Sequence, residues 1–226
     1  MLRASDLPNL ATAIDCIFQS TPPLGEIALG EDIVILSDEI YEKLVYGGHE
    51  HVSIASLGKD IYDHTITING FSKAYAMTGW RVGWMVVPEA YVRDLDKLSQ
   101  NIYLSAPTPA QLAALVAFEP ETLALLDARR DEFRARRDFL LPALRGLGFG
   151  VPQLPQGAFY IYANSAALAP DSFVFARELL ERAGVAITPG IDFGIHAARE
   201  HLRFAYTRPV DKLSEGVDRI ARFLRQ

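Results

Sequence analysis

Cysteine is nearly absent from this 226-residue chain, and the single Cys16 cannot form an internal disulfide, which fits a reducing compartment. A basic excess is absent too. With 22 Lys and Arg against 28 Asp and Glu the formal charge is −6 and the pI is near 5.4. The clustered cations that nucleic-acid phosphates demand are therefore not expected, and small molecules are the better class of ligand. Long apolar runs are also wanting. Residues 98–118 and 146–170 lack charge, but both contain proline and polar residues, and the second also carries Gly146, Gly148, Gly150 and Gly157, so neither reads as a membrane span. Arg3, Asp6 and Asp15 interrupt the first residues, where no apolar core precedes a small-residue cleavage site; no secretory signal is expected, and cytoplasm is the default. No internal repeat or low-complexity segment occurs. What is present is an apolar half of the composition, enough to exclude disorder and to build one large domain or two small ones.

The order of elements predicts an α/β architecture. Ile33-Val34-Ile35-Leu36 is a continuous apolar run of the kind buried on both faces of a parallel sheet, and it ends in Ser37-Asp38-Glu39. Thr65–Ile68, followed by Asn69-Gly70, makes a second strand. Val82–Val87, stopped by Pro88, makes a third. Helices are expected over 89–101, 110–118 and about 121–147, the last broken by Gly146 and Gly148. Leu126, Phe133, Leu140 and Leu147 recur every seven residues along it, with an Arg-rich face expected in solvent. Beyond Gly150 follow strand-like 158–162, a helix near 172–183, strands at 185–188 and 202–206, and a closing helix at 210–225. The second half reads as an α+β unit with its own core.

Ligands in open α/β sheets bind beyond the carboxyl ends of the strands. At the ends of the first two strands stand Asp38 and Lys73, with Tyr41 three residues after the acid and Arg81 eight after the amine. A carboxylate, a phenol, an amine and a guanidinium suit an anionic aromatic cofactor. Each alone has a plainer reading. Asp38 could cap the next turn, Tyr41 could be core or surface, and Arg203 further on could be a structural ion pair. A Ser-Lys hydrolase pair is disfavoured because its motif needs residues between the two, and Ser72 and Lys73 are adjacent. His49 and His51 flank Glu50 in a Gly-rich turn without further spaced ligands, which reads as a solvated loop; no metal is expected. His196 and His201 read as exposed loop residues, Trp80 and Trp84 as packing on the sheet.

Ser37-Asp38-Glu39-Ile40-Tyr41, Asn69-Gly70-Phe71-Ser72-Lys73 and Met77-Thr78-Gly79-Trp80-Arg81-Val82-Gly83 together resemble the class I and II pyridoxal-phosphate-dependent aminotransferases of fold type I, over roughly residues 31–226. The resemblance implies pyridoxal 5′-phosphate as cofactor. It makes Lys73 the residue that forms the internal Schiff base and then shuttles the substrate α-proton. It makes Asp38 the partner of the pyridine nitrogen, Tyr41 the donor to the phenolate oxygen and Arg81 the phosphate anchor, with Ser72 a lesser contributor. His201-Leu202-Arg203-Phe204-Ala205-Tyr206 resembles the segment carrying the substrate-carboxylate arginine, a role that falls to Arg203. Thr188-Pro189-Gly190, Phe193-Gly194 and Gln156-Gly157-Ala158-Phe159-Tyr160 match further family segments.

The implied fold is part of a fold type I large domain, residues 1–120, followed by a connecting helix and a small α+β C-terminal domain, 121–226. The implied reaction moves an amino group between an amino acid and a 2-oxo acid, in a homodimer or in association with another chain. A lyase of the same fold and a catalytically inactive fragment are the alternatives. Family members are longer, nearly all of the excess preceding the segment that starts here at Ile33. Residues 1–32 contain no counterpart of the glycine-containing phosphate loop, the aromatic stacked on the cofactor or the Asn-Pro-Thr-Gly segment, which Thr21-Pro22-Pro23-Leu24-Gly25 echoes only faintly.

Overall fold

A computed structural model of the protein describes residues 24–226; Cys16 and Thr21-Pro22-Pro23 lie outside the described residues. The chain forms two compact units, one ending at Arg130 and the other comprising Asp131–Gln226.

The first unit opens with a helical segment over 24–30 (α1), then β1 (Ile35–Asp38), α2 (Lys59–Asp63), β2 (Thr65–Gly70), β3 (Gly83–Val86), α3 (Glu89–Ile102) and α4 (Thr108–Leu115), and it ends in the first turns of α5 (Pro120–Gly146). β1 lies parallel to β2 with Asp38 opposite Ile68. β3 returns antiparallel, with Gly83 opposite Gly70. The Ile33–Leu36 run therefore starts pairing two residues later than its composition suggests. It is also not buried on both faces. Ile33, Val34 and Leu36 are exposed, because β1 is the outer strand of the sheet among the described residues and nothing there covers the Leu36 side. α3 has its expected bounds and strong amphipathic pattern, yet none of its residues is buried.

One buried cluster in this unit centres on Phe71. Its ring sits 5.0 Å from Trp84, 5.1 Å from Tyr75 and 5.7 Å from Phe118, over Ala114 and Ala117 of the α4 region. These tilted and edge-on contacts are the arrangements aromatic quadrupoles favour. Trp84 thus packs on the sheet as its sequence suggests, whereas Trp80 is exposed.

In the second unit the rest of α5 packs with β4 (Tyr160–Asn164), α6 (Ser172–Glu178), β5 (Thr188–Pro189), β6 (His201–Ala205) and α7 (Val210–Phe223). The strands form an antiparallel sheet in the order β4-β6-β5. Leu144, Ile161, Leu179 and Leu202 are fully buried, and Phe149 meets Phe204 edge-on at 5.1 Å. Asp171 caps α6 by accepting from the amides of Phe173 and Val174. The helix does not continue evenly to 183: a π-helical turn over Leu179–Ala183 intervenes, and Gly184 ends it in the left-handed region at φ +64°. β5 is shorter than expected, and Pro189 stands on an outer strand, where a missing amide costs little.

The apolar heptad of α5 behaves as its period predicts, with Leu126 and Leu140 buried. Its arginines divide: Arg134 and Arg145 are exposed, as expected, and two others are not. Arg136 and Arg137 are buried and donate to the carbonyls of Thr207 and Pro155, each at 2.6 Å, while Arg145 reaches the Val151 carbonyl. Guanidinium forks satisfy loop carbonyls that carry no ladder partner, which is why a charged helix face turns inward here. Among the described residues no helix is long and apolar enough to cross a membrane.

Phe71→Ala removes the centre of the aromatic cluster and is expected to destabilise the chain by about 3 kcal/mol, within the range for large-to-small core changes. Urea unfolding of parent and variant checks this, read as a lower midpoint at unchanged slope.

Candidate active site

Parallel pairing puts the carboxyl ends of β1 and β2 at the same end of the sheet. Asp38 is the last residue of β1 and Tyr41 lies in the turn after it. Ser72 and Lys73 follow the end of β2 by two and three residues. Because β3 runs back antiparallel, Arg81 enters it at that same end, two residues before Gly83 pairs with Gly70. Five residues from three segments are so gathered at one end of one sheet: an acid, a phenol, a hydroxyl, an amine and a guanidinium. Arg203 belongs to the second unit.

The segment between β2 and β3 is held by its own backbone. Phe71 donates its amide to Val82, extending the ladder past Gly70, and the Met77 amide returns to the Phe71 carbonyl at 3.1 Å. The Ala76 amide bonds the Lys73 carbonyl at 3.1 Å, and the Thr78 hydroxyl donates to the Ser72 carbonyl at 2.7 Å. Arg81 Nη1 donates to the Thr78 carbonyl at 2.9 Å. Ala76 and Arg81 adopt left-handed backbone at φ +55° and +54°, a conformation that costs non-glycine residues of order 1 kcal/mol and tends to persist at functional sites. The glycines at the strand ends permit this close return. A Cβ on Gly83 would lie 2.8 Å from the Asn69 carbonyl oxygen, and one on Gly70 would lie 3.0 Å from the Gly83 Cα. Phe71 and Tyr75 flank Lys73 and anchor the segment in the aromatic cluster.

Asp38 also keeps its plainer role, because one carboxylate oxygen accepts the Ile40 amide at 3.2 Å and shapes the turn that carries Tyr41. Behind it stands a group the sequence did not reveal. Glu39 is buried; Oε1 accepts from Ser53 at 2.8 Å and Ser37 at 3.1 Å, and Oε2 faces His51 Nε2 at 3.1 Å. His51 is therefore half-buried and engaged, not a solvated loop residue. Burial pushes the Glu39 carboxyl upward, but the hydrogen bonds from His51 and Ser53 and the field of His51 outweigh it and hold the group below its ordinary 4.5.

In the second unit Arg203 lies on β6 directly across from Tyr162. Its guanidinium sits 4.5 Å from the Phe193 ring centre and 5.5 Å from that of Tyr160, and Nη2 reaches the Thr188 hydroxyl at 3.5 Å. Its Nε is buried with no hydrogen-bond partner among the described residues. A donor held among aromatic faces with bonding capacity to spare is what a carboxylate can complete. Tyr162 stacks on His201 at 4.9 Å with rings 3° from parallel and meets Phe193 edge-on at 6.1 Å. His201 is accordingly buried on β6, contrary to the exposed loop position expected of it; His196 is exposed. The aromatic frame around Arg203 carried a detectable signal, since Tyr160 and Tyr162 alternate on the strand that pairs with the Arg203 segment.

Comparison with known proteins gives a consistent picture. The family described as "Aminotransferase class I and II" matches residues 22–220. The chain is 40% identical over 210 residues to (5-formylfuran-3-yl)methyl phosphate transaminase of Methanocaldococcus jannaschii, covering 89% of this chain and 55% of that one. It is 39% identical over 203 residues to the aspartate/prephenate aminotransferase of Thermus thermophilus, covering 89% and 50%. The crystal structure of an aromatic aminotransferase from Pyrococcus horikoshii superposes with a TM-score of 0.87 at 32% identity, covering 92% of this chain and 55% of its own. The chain spans about half the length of the curated relatives it matches.

Because the folded Glu39 carboxyl titrates below its ordinary 4.5, its contribution to stability is fully present above that pH and is lost as pH falls through the lowered folded value. A Glu39→Ala chain, which has no such carboxylate, is expected to lose less stability than the parent between pH 6 and pH 3. Thermal melts of both across that window check it, and equal losses would contradict it.

Proposed function

The chain belongs to the class I and II aminotransferases, and we propose that it binds pyridoxal 5′-phosphate at Asp38, Tyr41, Ser72, Lys73 and Arg81 and moves an amino group between an amino acid and a 2-oxo acid. The fold is α/β, part of the fold type I large domain followed by a small α+β C-terminal unit. The observation that carries the reading is the register: β1 parallel to β2, and β3 returning antiparallel, deliver an acid, an amine and a guanidinium to one end of one sheet.

The donor set fits the cofactor. Arg81, with Ser72 beside it, supplies charge for a phosphate; Asp38 supplies a carboxylate for a pyridinium nitrogen; Tyr41 supplies a phenol for the ring oxygen; Lys73 supplies the amine that holds an aldehyde covalently. When bound, the cofactor provides the electron sink for the pair left at the substrate α-carbon. The rest falls to the protein. Lys73 Nζ is the base that takes the α-proton and the acid that returns one. Arg203, with its spare Nε and its Nη groups, grips the substrate carboxylate and so fixes which bond at the α-carbon is broken. The printed names of the relatives span aspartate, prephenate, aromatic amino acids and valine, so the donor is proposed as an amino acid by class. The single cysteine supports a reducing compartment, and a cytoplasmic setting is proposed on that ground. Exposed apolar residues on β1 and α3, such as Leu36, Leu98 and Ile102, support a homodimer or association with another chain.

An assay of 2-oxo acid formation from a panel of amino acids with 2-oxoglutarate and added cofactor tests the reading. Transfer is expected from the parent and none from Lys73→Ala, while Arg203→Ala lowers kcat/KM about 10- to 100-fold, the value of a charge-assisted contact to the substrate. Pyruvate release from a β-substituted amino acid without amino transfer would instead mark a lyase, and inertness in both assays would overturn the proposal.

A further inference from the structure

We propose that Glu39 is a positioning residue for the proposed cofactor site: its buried carboxylate ties both ends of the 39–53 loop together and thereby fixes Asp38 and Tyr41. The inference rests on the reading of Asp38 and Tyr41 given above.

Alternation along the strand is the starting point. Ile35, Ser37 and Glu39 turn to the more buried side, while Leu36 and Asp38 turn to the exposed one. The Glu39 amide bonds the Ile68 carbonyl at 2.8 Å, so the parallel ladder extends one residue past Asp38. The chain then leaves the sheet, and the Glu42 amide returns to the Glu39 carbonyl at 3.0 Å and the Leu44 amide to the Tyr41 carbonyl at 2.8 Å. Twelve and fourteen residues beyond Glu39, His51 and Ser53 come back to its two carboxylate oxygens. One carboxylate thus receives donors from the strand that carries Asp38 and from the far end of the loop that carries Tyr41. With Glu39 held on one side of the strand, rotation of its neighbour Asp38 about the strand axis is restrained, and Tyr41 lies in a loop closed at its base.

A buried acceptor with three donors is costly to remove, because the donors of Ser37, Ser53 and His51 must then find other partners. An apolar filler would shape the same space without joining the two ends. Hydrogen bonding, more than packing, is therefore the means by which Glu39 acts on its neighbours.

The test uses the full chain as Glu39→Ala, Glu39→Gln and Ser53→Ala. In the cofactor-free state, hydrogen exchange of the Ile40, Glu42 and Leu44 amides is expected to accelerate at least tenfold in Glu39→Ala, with the β4–β6 amides of the second unit unchanged. Titration with pyridoxal 5′-phosphate, read by its visible absorbance, should show affinity lowered about tenfold or more, the usual cost of losing an outer hydrogen-bond partner. The pH at which that absorbance changes should also move, which a loss of stability alone would not produce. Glu39→Gln keeps an acceptor for both serines and should restore most of the affinity, and Ser53→Ala should fall between it and the parent. Unchanged exchange at the three amides would overturn the inference whatever the cofactor does. Accelerated exchange with an unshifted affinity and pH response in a parent that attaches cofactor at Lys73 would leave Glu39 structural and also overturn it. A parent that attaches nothing at Lys73 overturns the site reading and this inference with it.

Discussion

The pairing of β1 with β2 is the constraint on which the first unit depends. Parallel strands need a crossover between them, here the loop after Asp38 and the short α2, and that crossover starts at the same end of the sheet where the β2 segment delivers Lys73. A slip of one residue would turn Asp38 to the buried side and Glu39 to the exposed one, exchanging the acid proposed for the cofactor site with the one bonded beneath it. The β1–β2 register is supported by the Glu39 amide bond to Ile68, and the β2–β3 register by the Gly70–Gly83 approach. Chemistry and folding therefore draw on the same few backbone positions.

The second unit solves a different problem with different means. Its sheet is antiparallel and its core aliphatic and aromatic, and the α5 arginines stitch loop carbonyls to the helix. Within it Arg203 is held by ring faces and one hydroxyl, and by no acid among the described residues, which is the physical support for the substrate-carboxylate role proposed for it. The resemblance assigned this residue a clamp role, and the aromatic setting is a physical reason for that role which no motif states.

Much of the fold was legible because hydrophobic period and punctuation are local signals. The bounds of α3 and α5, the order of the strands and the α/β class all follow from spacing, Gly and Pro. The misreadings share one cause, which is tertiary contact that no local window contains. The exposed residues of β1 reflect the lack of a covering element among the described residues, which no local window predicts. Arg136 and Arg137 turn inward because distant carbonyls at Thr207 and Pro155 need donors. His51 reads as an idle loop residue because a partner lies twelve residues earlier, and His201 reads as exposed because its stacking partner Tyr162 is on another strand. At the candidate site the residue types, their spacing and the alternation of Tyr160 and Tyr162 beside Arg203 were readable, whereas the hydrogen-bond partners of Glu39 behind Asp38 were not.

The most direct measurement is borohydride reduction of the chain loaded with pyridoxal 5′-phosphate, followed by peptide mapping, with Lys73→Ala alongside. Label confined to the peptide containing Lys73, and absent from the variant, is the predicted result. Label spread over several lysines, or retained in the variant, would contradict the claim that the converging ends of β1, β2 and β3 form the cofactor site.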